Sequence, residues 1–209
     1  MKIGIIGGTG DLGRGLALRA AAAGHDVWLG SRDKEKSELV TEQLLGILAE
    51  HGGTSGRIFA ADNKTAVQWC EMAILAIPTA AGHELVQPFI SDLHGKVLVD
   101  CSARINPKTI PLLDPQHRAS ALELQELFGE AVSVIAAFQT VSAAKLQNLS
   151  YVLQEDTLVA GDSDIGKEQT IALAKDMGLG AYDAGPLAAA DTLERLTALL
   201  IGLNKRYKR

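Results

Sequence analysis

Lys2-Ile3-Gly4-Ile5-Ile6-Gly7-Gly8-Thr9-Gly10-Asp11-Leu12-Gly13 decides how this chain is read. An apolar run built on Ile3, Ile5 and Ile6 enters Gly8-x-Gly10-x-x-Gly13, and Leu12, Leu16 and Ala20 then recur at helical spacing. Strand, glycine turn and helix in that order aim the free N–H groups and the positive dipole end of the helix into the turn. A pyrophosphate is the ligand such a turn suits. Gly8 is expected to allow the tight turn, Gly10 to withhold the Cβ that would strike phosphate, and Gly13 to let helix and strand approach closely. Glycine spacing alone is weak, but a strand before it and a helix after it make the reading a dinucleotide site.

The same alternation runs on. Residues 2–7, 26–30, 57–60, 70–77, 96–101 and 131–137 read as strands, and residues 11–23, 34–51, 80–93 and 120–129 as helices. Residues 70–77 (CEMAILAI) form an unbroken apolar run closed by Pro78, the pattern of a strand buried on both faces. Pro107, Pro111 and Pro115 make the stretch after the fifth strand irregular. Six strands with helical crossovers predict an α/β fold, a Rossmann-type doubly wound parallel sheet. After Gln139 the pattern changes to short strands at 158–160 and 181–183 beside helices at about 164–177 and 187–204. The expected division is a dinucleotide-binding domain over residues 1–138 and a small C-terminal α+β cap over residues 139–209.

Composition narrows the function. With 47% hydrophobic but only 4% aromatic residues, the core is expected to be aliphatic. A net charge of −5 leaves no basic face to neutralise many phosphates, which argues against nucleic acid as a partner. Cys70 and Cys101 each sit in a strand-like run and read as buried free thiols of a reducing compartment. The five histidines form no i, i+4 pair, so no metal is expected. The first strand begins at once and no apolar run approaches membrane-spanning length, so the protein is expected to be cytoplasmic with no membrane partner.

The end of the second strand indicates which dinucleotide is bound. Gly30-Ser31-Arg32-Asp33-Lys34-Glu35-Lys36 lacks the strand-end acid that holds the ribose 2′-hydroxyl in NAD enzymes. Ser31, Arg32 and Lys36 instead offer a hydroxyl, a planar guanidinium fork and an ammonium to an extra phosphate. Asp33 reads as the cap of the helix that starts at Lys34. NADP is therefore the expected cofactor.

At the nicotinamide end, Ile77 and Pro78 are expected to form an apolar wall. Thr79, Gln139 and Ser142 could bond the carboxamide or a second substrate. None of these is a strong acid or base, and no Tyr-x-x-x-Lys arrangement occurs. No catalytic side chain is assigned. His83 and His94 read as surface groups. A site of this kind suits direct hydride transfer between two cofactors, for which the protein supplies proximity, orientation and water exclusion.

Together these residues resemble the coenzyme F-420:NADP oxidoreductase family, whose second coenzyme is an 8-hydroxy-5-deazaflavin. The resemblance spans nearly the whole chain. It is carried by KIGIIGGTGDLGRGLALR, GSRDKEK, AILAIP, Asp183-Ala184-Gly185-Pro186-Leu187 and Leu193-Glu194-x-Leu196-Thr197. It implies hydride exchange between NADP(H) and the deazaflavin, a C-terminal domain that helps form the deazaflavin cleft, and a homodimer. It also implies that Thr9, Gly10, Asp11, Leu12, Ser31, Arg32 and Lys36 carry the phosphates, while Ile77, Thr79 and Ala143 approach the nicotinamide ribose and ring.

The chain departs from the archaeal pattern twice. Gln139-Thr140-Val141-Ser142-Ala143 stands where those members carry His-Thr-Ile-Pro-Ala, a form closer to the NADPH-oxidising domains of metalloreductases. The hydrophobic tail that reaches the cofactor cleft in those members has no counterpart after Tyr207-Lys208-Arg209. These differences keep two alternatives open: an NADPH-dependent reductase of a flavin or another small-molecule acceptor, and a non-catalytic NADP(H) sensor.

Overall fold

The computed structural model describes residues 1–53, 55–77, 79–103 and 118–207, with the backbone alone for residues 79–82. Along the chain run β1 (Lys2–Ile6), α1 (Asp11–Ala22), β2 (Asp26–Ser31), α2 (Lys34–Glu50), β3 (Arg57–Asp62) and α3 (Asn63–Trp69). Next come β4 (Met72–Leu75), α4 (Thr79–Val86), α5 (Ile90–Leu93), β5 (Val97–Asp100), α6 (Ser120–Phe128) and β6 (Ser133–Ala136). The C-terminal part adds α7 (Ala143–Leu146), β7 (Asp156–Gly161), α8 (Asp164–Asp176), β8 (Gly180–Asp183) and α9 (Ala190–Tyr207).

The strands form one sheet in the order β3-β2-β1-β4-β5-β6-β7-β8. Strands β1 to β6 are parallel, and the winding reverses between β1 and β4. In an open parallel sheet, ligands bind outside the carboxyl ends of the strands at that reversal. The expected α/β doubly wound fold is what the chain adopts. β7 joins β6 antiparallel, with Ala136 opposite Ala160, and β8 runs parallel to β7. The C-terminal α+β unit thus extends the edge of the same sheet.

Alternate residues of the central strands enter two separate cores. Ile3, Ile5, Met72, Ile74, Val97 and Val99 pack on one side with α1 and α2. Ile6, Ala73, Leu75, Leu98 and Val134 pack on the other with Val67, Val86, Leu93 and Leu124. Covering both faces explains the uninterrupted apolar runs.

Some boundaries differ from the sequence reading. α3 was not expected, because Thr65, Val67 and Trp69 give seven residues little helical signal. The Asp62 carboxylate caps it, accepting from Thr65 N at 2.7 Å. The run 70–77 contains only four strand residues. Cys70 ends α3 and donates to the Val67 carbonyl, while Cys101 follows β5; both are buried free thiols. The helix expected over 80–93 is interrupted at Gln87–Phe89, where Pro88 removes a donor.

Candidate active site

The turn after β1 divides its work among the glycines in an order the motif does not reveal. Gly7, not Gly8, takes the left-handed conformation, with φ at +73°. A Cβ there would also lie 2.7 Å from Ile77 Cγ2. Gly8 packs against Leu29 and donates to the Gly30 carbonyl at 2.8 Å, tying the loop to the end of β2. A Cβ on Gly13 would come 2.6 Å from Gly8 Cα, so the close approach of helix and loop is real.

Gly10 is different. Its φ of −77° and ψ of 169° suit any residue, and its Cβ would meet nothing nearer than the Gly7 carbonyl at 3.5 Å. Nothing in the protein requires glycine there. As the N-cap of α1 it brings no side-chain oxygen to the first turn, which leaves backbone donors for a ligand. Room over Gly10 and unspent N–H groups in the first turn are what a pyrophosphate needs.

Asn63 Oδ1 accepts from Gly7 N at 3.1 Å and is itself buried, so the start of α3 fixes the loop. Arg14 Nε donates to the Thr9 carbonyl at 3.0 Å. Thr9 Oγ1 lies 3.5 Å from Ser31 Oγ, bringing the glycine loop to the end of β2. Ser31 Oγ also accepts from Asp33 N at 3.1 Å, and Asp33 caps α2 by accepting from Lys36 N at 3.1 Å. Arg32 and Lys36 are exposed and make no ion pair among the described residues. Asp11 is exposed in the first turn of α1, and Leu12 behind it is partly buried.

At the other end of the crevice, Ile77 lies against Gly7, and its carbonyl accepts from Ser102 Oγ at 3.2 Å. Pro78 lies outside the described residues, as does the Thr79 side chain; the Thr79 backbone opens α4. Gln139 Nε2 donates to the Asp100 carbonyl at 3.0 Å, which links the ends of β5 and β6. Between them Phe138 is buried at φ +70°, its N–H donating to Thr157 Oγ1 at 2.8 Å.

Ala143 opens α7, a single turn held from outside. Arg19 of α1 donates to the carbonyls of Leu146, Asn148 and Tyr151 at 3.0, 2.5 and 2.8 Å. Gln147 Nε2 donates to the Asp11 carbonyl at 2.8 Å. Ala143 is thereby brought to the glycine-loop end of α1.

A buried polar cluster lies beneath this end. Asp100 is 0% exposed; its Oδ1 accepts from Ser102 N at 3.0 Å, and its Oδ2 has no hydrogen-bond partner among the described residues. His83 Nε2 is 3.0 Å from Ser120 Oγ, and its Nδ1 is 3.3 Å from Glu123 Oε2. His83 is therefore bound into this cluster and is not the plain surface group expected from sequence. Gly7, Asn63, Arg19 and Asp100 were all missed. Asp100 had one visible signal, an acid ending the apolar run Val97-Leu98-Val99.

The two C-terminal motifs serve architecture. Asp183 accepts from Lys167 Nζ at 2.9 Å and from Gly185 N at 2.8 Å, and Leu187 is buried. Glu194 accepts from Ser120 N at 2.7 Å and Asp191 from Ala119 N at 2.5 Å, capping α6, whose N-cap Ala119 has no side-chain acceptor.

Comparison with known proteins adds a family. Residues 2–104 match the family described as NADP oxidoreductase, coenzyme F420-dependent. The F420-dependent NADP reductase of Methanocaldococcus jannaschii is 36% identical over 213 residues, covering 100% of this chain and 94% of the relative. That of Methanothermobacter marburgensis is 35% identical, covering 98% and 92%. Metalloreductase STEAP3 of Rattus norvegicus is 30% identical over 96% of this chain but only 37% of its own length. A solved structure of a candidate F420-dependent NADP reductase from Arthrobacter sp. FB24 superposes with a TM-score of 0.78 over 100% of this chain and 95% of that one. At 22% identity it bears on the fold alone.

Proposed function

The chain belongs to the F420-dependent NADP reductase family, and from that premise we propose how its residues divide the work. It is an oxidoreductase that moves a hydride between NADP(H) and coenzyme F420. Residues 1–138 hold the dinucleotide, and residues 139–209 close the acceptor's side of the crevice. Backbone donors at Thr9 and over Asp11, Leu12 and Gly13 hold the pyrophosphate, with Gly8 shaping the loop and Gly10 leaving the room. Ser31, Arg32 and Lys36 hold the 2′-phosphate. Ile77, Pro78, Thr79, Gln139 and Ala143 shape the nicotinamide end.

The observation that carries this reading is Gly10, a glycine the protein itself does not need. When bound, the reduced nicotinamide supplies the hydride, and the chain's part is to orient it and keep water out. Ile77 offers an apolar surface, and the Gln139 amide is oriented by its bond to β5. Among the described residues no helix is long and apolar enough to cross a membrane. With two buried free thiols, this supports action in the cytoplasm. Leu199, Leu200, Leu203 and Tyr207 leave an exposed apolar stripe on α9, which we assign to a homodimer contact. Leu203→Lys should then halve the mass seen by light scattering.

The deciding assay follows NADPH oxidation with the deazaflavin and with FMN in parallel. Rapid loss of deazaflavin absorbance is expected. Turnover with FMN alone would favour the second reading, a flavin reductase, which has Gln139 and the likeness to metalloreductase STEAP3 behind it. Turnover with any acceptor excludes a purely sensory role.

A further inference from the structure

The reaction moves a hydride and also consumes a proton, yet among the described residues no acid lines the nicotinamide end. One lies just beneath it. Asp100 is joined on one side to Ser102, which holds the Ile77 carbonyl, and on the other to Gln139, which holds the Asp100 carbonyl. On its far side the Ser120 hydroxyl meets His83 Nε2, and His83 Nδ1 faces the partly exposed Glu123. We propose that Asp100 is the proton reservoir of the nicotinamide end, neutral with the reduced ring and anionic with the oxidised one. This rests on the reading that Ile77 and Gln139 flank the nicotinamide.

The orphaned Oδ2 is one physical reason. A buried anionic oxygen without a donor is costly, and a proton on the carboxyl removes that charge. Burial pushes the carboxyl above its ordinary value, against the Ser102 and Ser120 hydroxyls and the His83 ring, which favour the anion. The other reason is charge. Loss of a hydride with its electron pair leaves the nicotinamide positive, and a positive ring nearby favours an anionic carboxylate. The carboxyl then gives up its proton as the ring turns positive; no electrons move with that proton, and it matches the one the acceptor takes up. Asp100 is buried beneath the crevice and acts through its charge. The other acids at the cluster are Glu123 from α6 and Asp191 and Glu194 from α9.

The experiment measures proton release when NADP+ and NADPH bind the wild-type protein, by calorimetry in two buffers of different ionisation enthalpy. Both forms carry the 2′-phosphate, so its titration cancels in the difference. NADP+ should release about one proton more than NADPH, and the ratio of the two affinities should change by up to about tenfold per pH unit. Asp100→Asn, which mimics the neutral acid, should abolish the difference, whereas Glu194→Gln should leave it. A second arm needs no cofactor. A native value above the unfolded one means that the folded state holds the extra proton, so stability should fall as pH rises above the ordinary carboxyl range. Asp100→Asn should remove that fall.

An equal proton release for the two forms in the wild type overturns the inference, and so does a difference that survives in Asp100→Asn. If Asp100→Asn does not fold, the wild-type protein decides alone: the ratio of the NADP+ and NADPH affinities must change with pH, by up to about tenfold per unit, or the inference fails. Failure of either dinucleotide to bind would remove the NADP reading and this inference with it. Binding without a proton difference removes this inference alone.

Discussion

The phosphate end and the nicotinamide end of the crevice are built on different principles. At the phosphate end the backbone forms the site: Gly7 turns, Gly13 closes against Gly8, and Asn63 fixes the loop from behind. The charged groups there, Arg32 and Lys36, are exposed and have no ion-pair partner among the described residues. At the nicotinamide end side chains hold strand ends together: Ser102, after β5, holds the Ile77 carbonyl after β4, and Gln139, after β6, holds the Asp100 carbonyl of β5, over a carboxyl that water does not reach. One end is shaped to receive fixed negative charge. The other presents neutral side chains over one buried carboxyl, which suits a ring whose charge changes during turnover. Affinity and chemistry are thus assigned to opposite ends, and mutations should separate them.

The largest effect is expected at Gly10. Gly10→Val should weaken both dinucleotides by at least about 100-fold, about 2.7 kcal/mol, while the melting temperature stays near wild type. Gly13→Val should instead destabilise the fold, because its Cβ would strike the Gly8 backbone. Equal loss of stability in both variants would break the distinction between ligand space and packing space.

Arg32→Ala comes next. Removing a charge-assisted contact worth roughly 1.5–3 kcal/mol should cost NADP about 10- to 100-fold in affinity and leave NAD unchanged in a binding titration. Equal loss for both would mean that Arg32 does not read the 2′-phosphate. Asn63→Ala strips the buried Gly7 N–H of its acceptor and should cost about 1–3 kcal/mol in denaturant unfolding, with weaker dinucleotide binding. The same loss of stability with unchanged binding would detach Asn63 from the phosphate end.

The smallest effect lies away from the crevice, which makes it a control on both ends. Burial, followed by the Met1 ammonium, lowers the His25 value, and Asp176 opposes them. The unfolded chain then binds the extra proton, so stability should be full above the ordinary histidine value and fall as pH drops through it. His25→Gln should flatten that acid slope in thermal unfolding without changing NADPH affinity.

The phosphate end was legible in the sequence because its function is written in spacing: three glycines, a strand before and a helix after. Even there, Gly7 was hidden beside Gly8, since spacing gives no φ. The nicotinamide end was less legible. Asp100 ends a strand, and nothing in one dimension reveals that Ser120, twenty residues on, and His83, on another helix, meet beside it. The reversal at β7 was equally hidden, because side-chain periodicity does not encode strand direction. Asp183 to Leu187 and Glu194 carried the resemblance, yet their polar groups are engaged by the fold itself. A motif can be characteristic of a family because it builds the scaffold that the chemistry stands on.

The anchoring of α7 has a consequence for how the molecule forms. One turn of helix cannot hold itself in water, so Ala143–Leu146 takes its shape from Arg19, a partner more than a hundred residues earlier in the chain. Contacts of such span close late, after local structure has gathered. The turn that carries Ala143 should therefore assemble only on a finished α1, so the glycine loop and its strand would be in place before this side of the crevice exists.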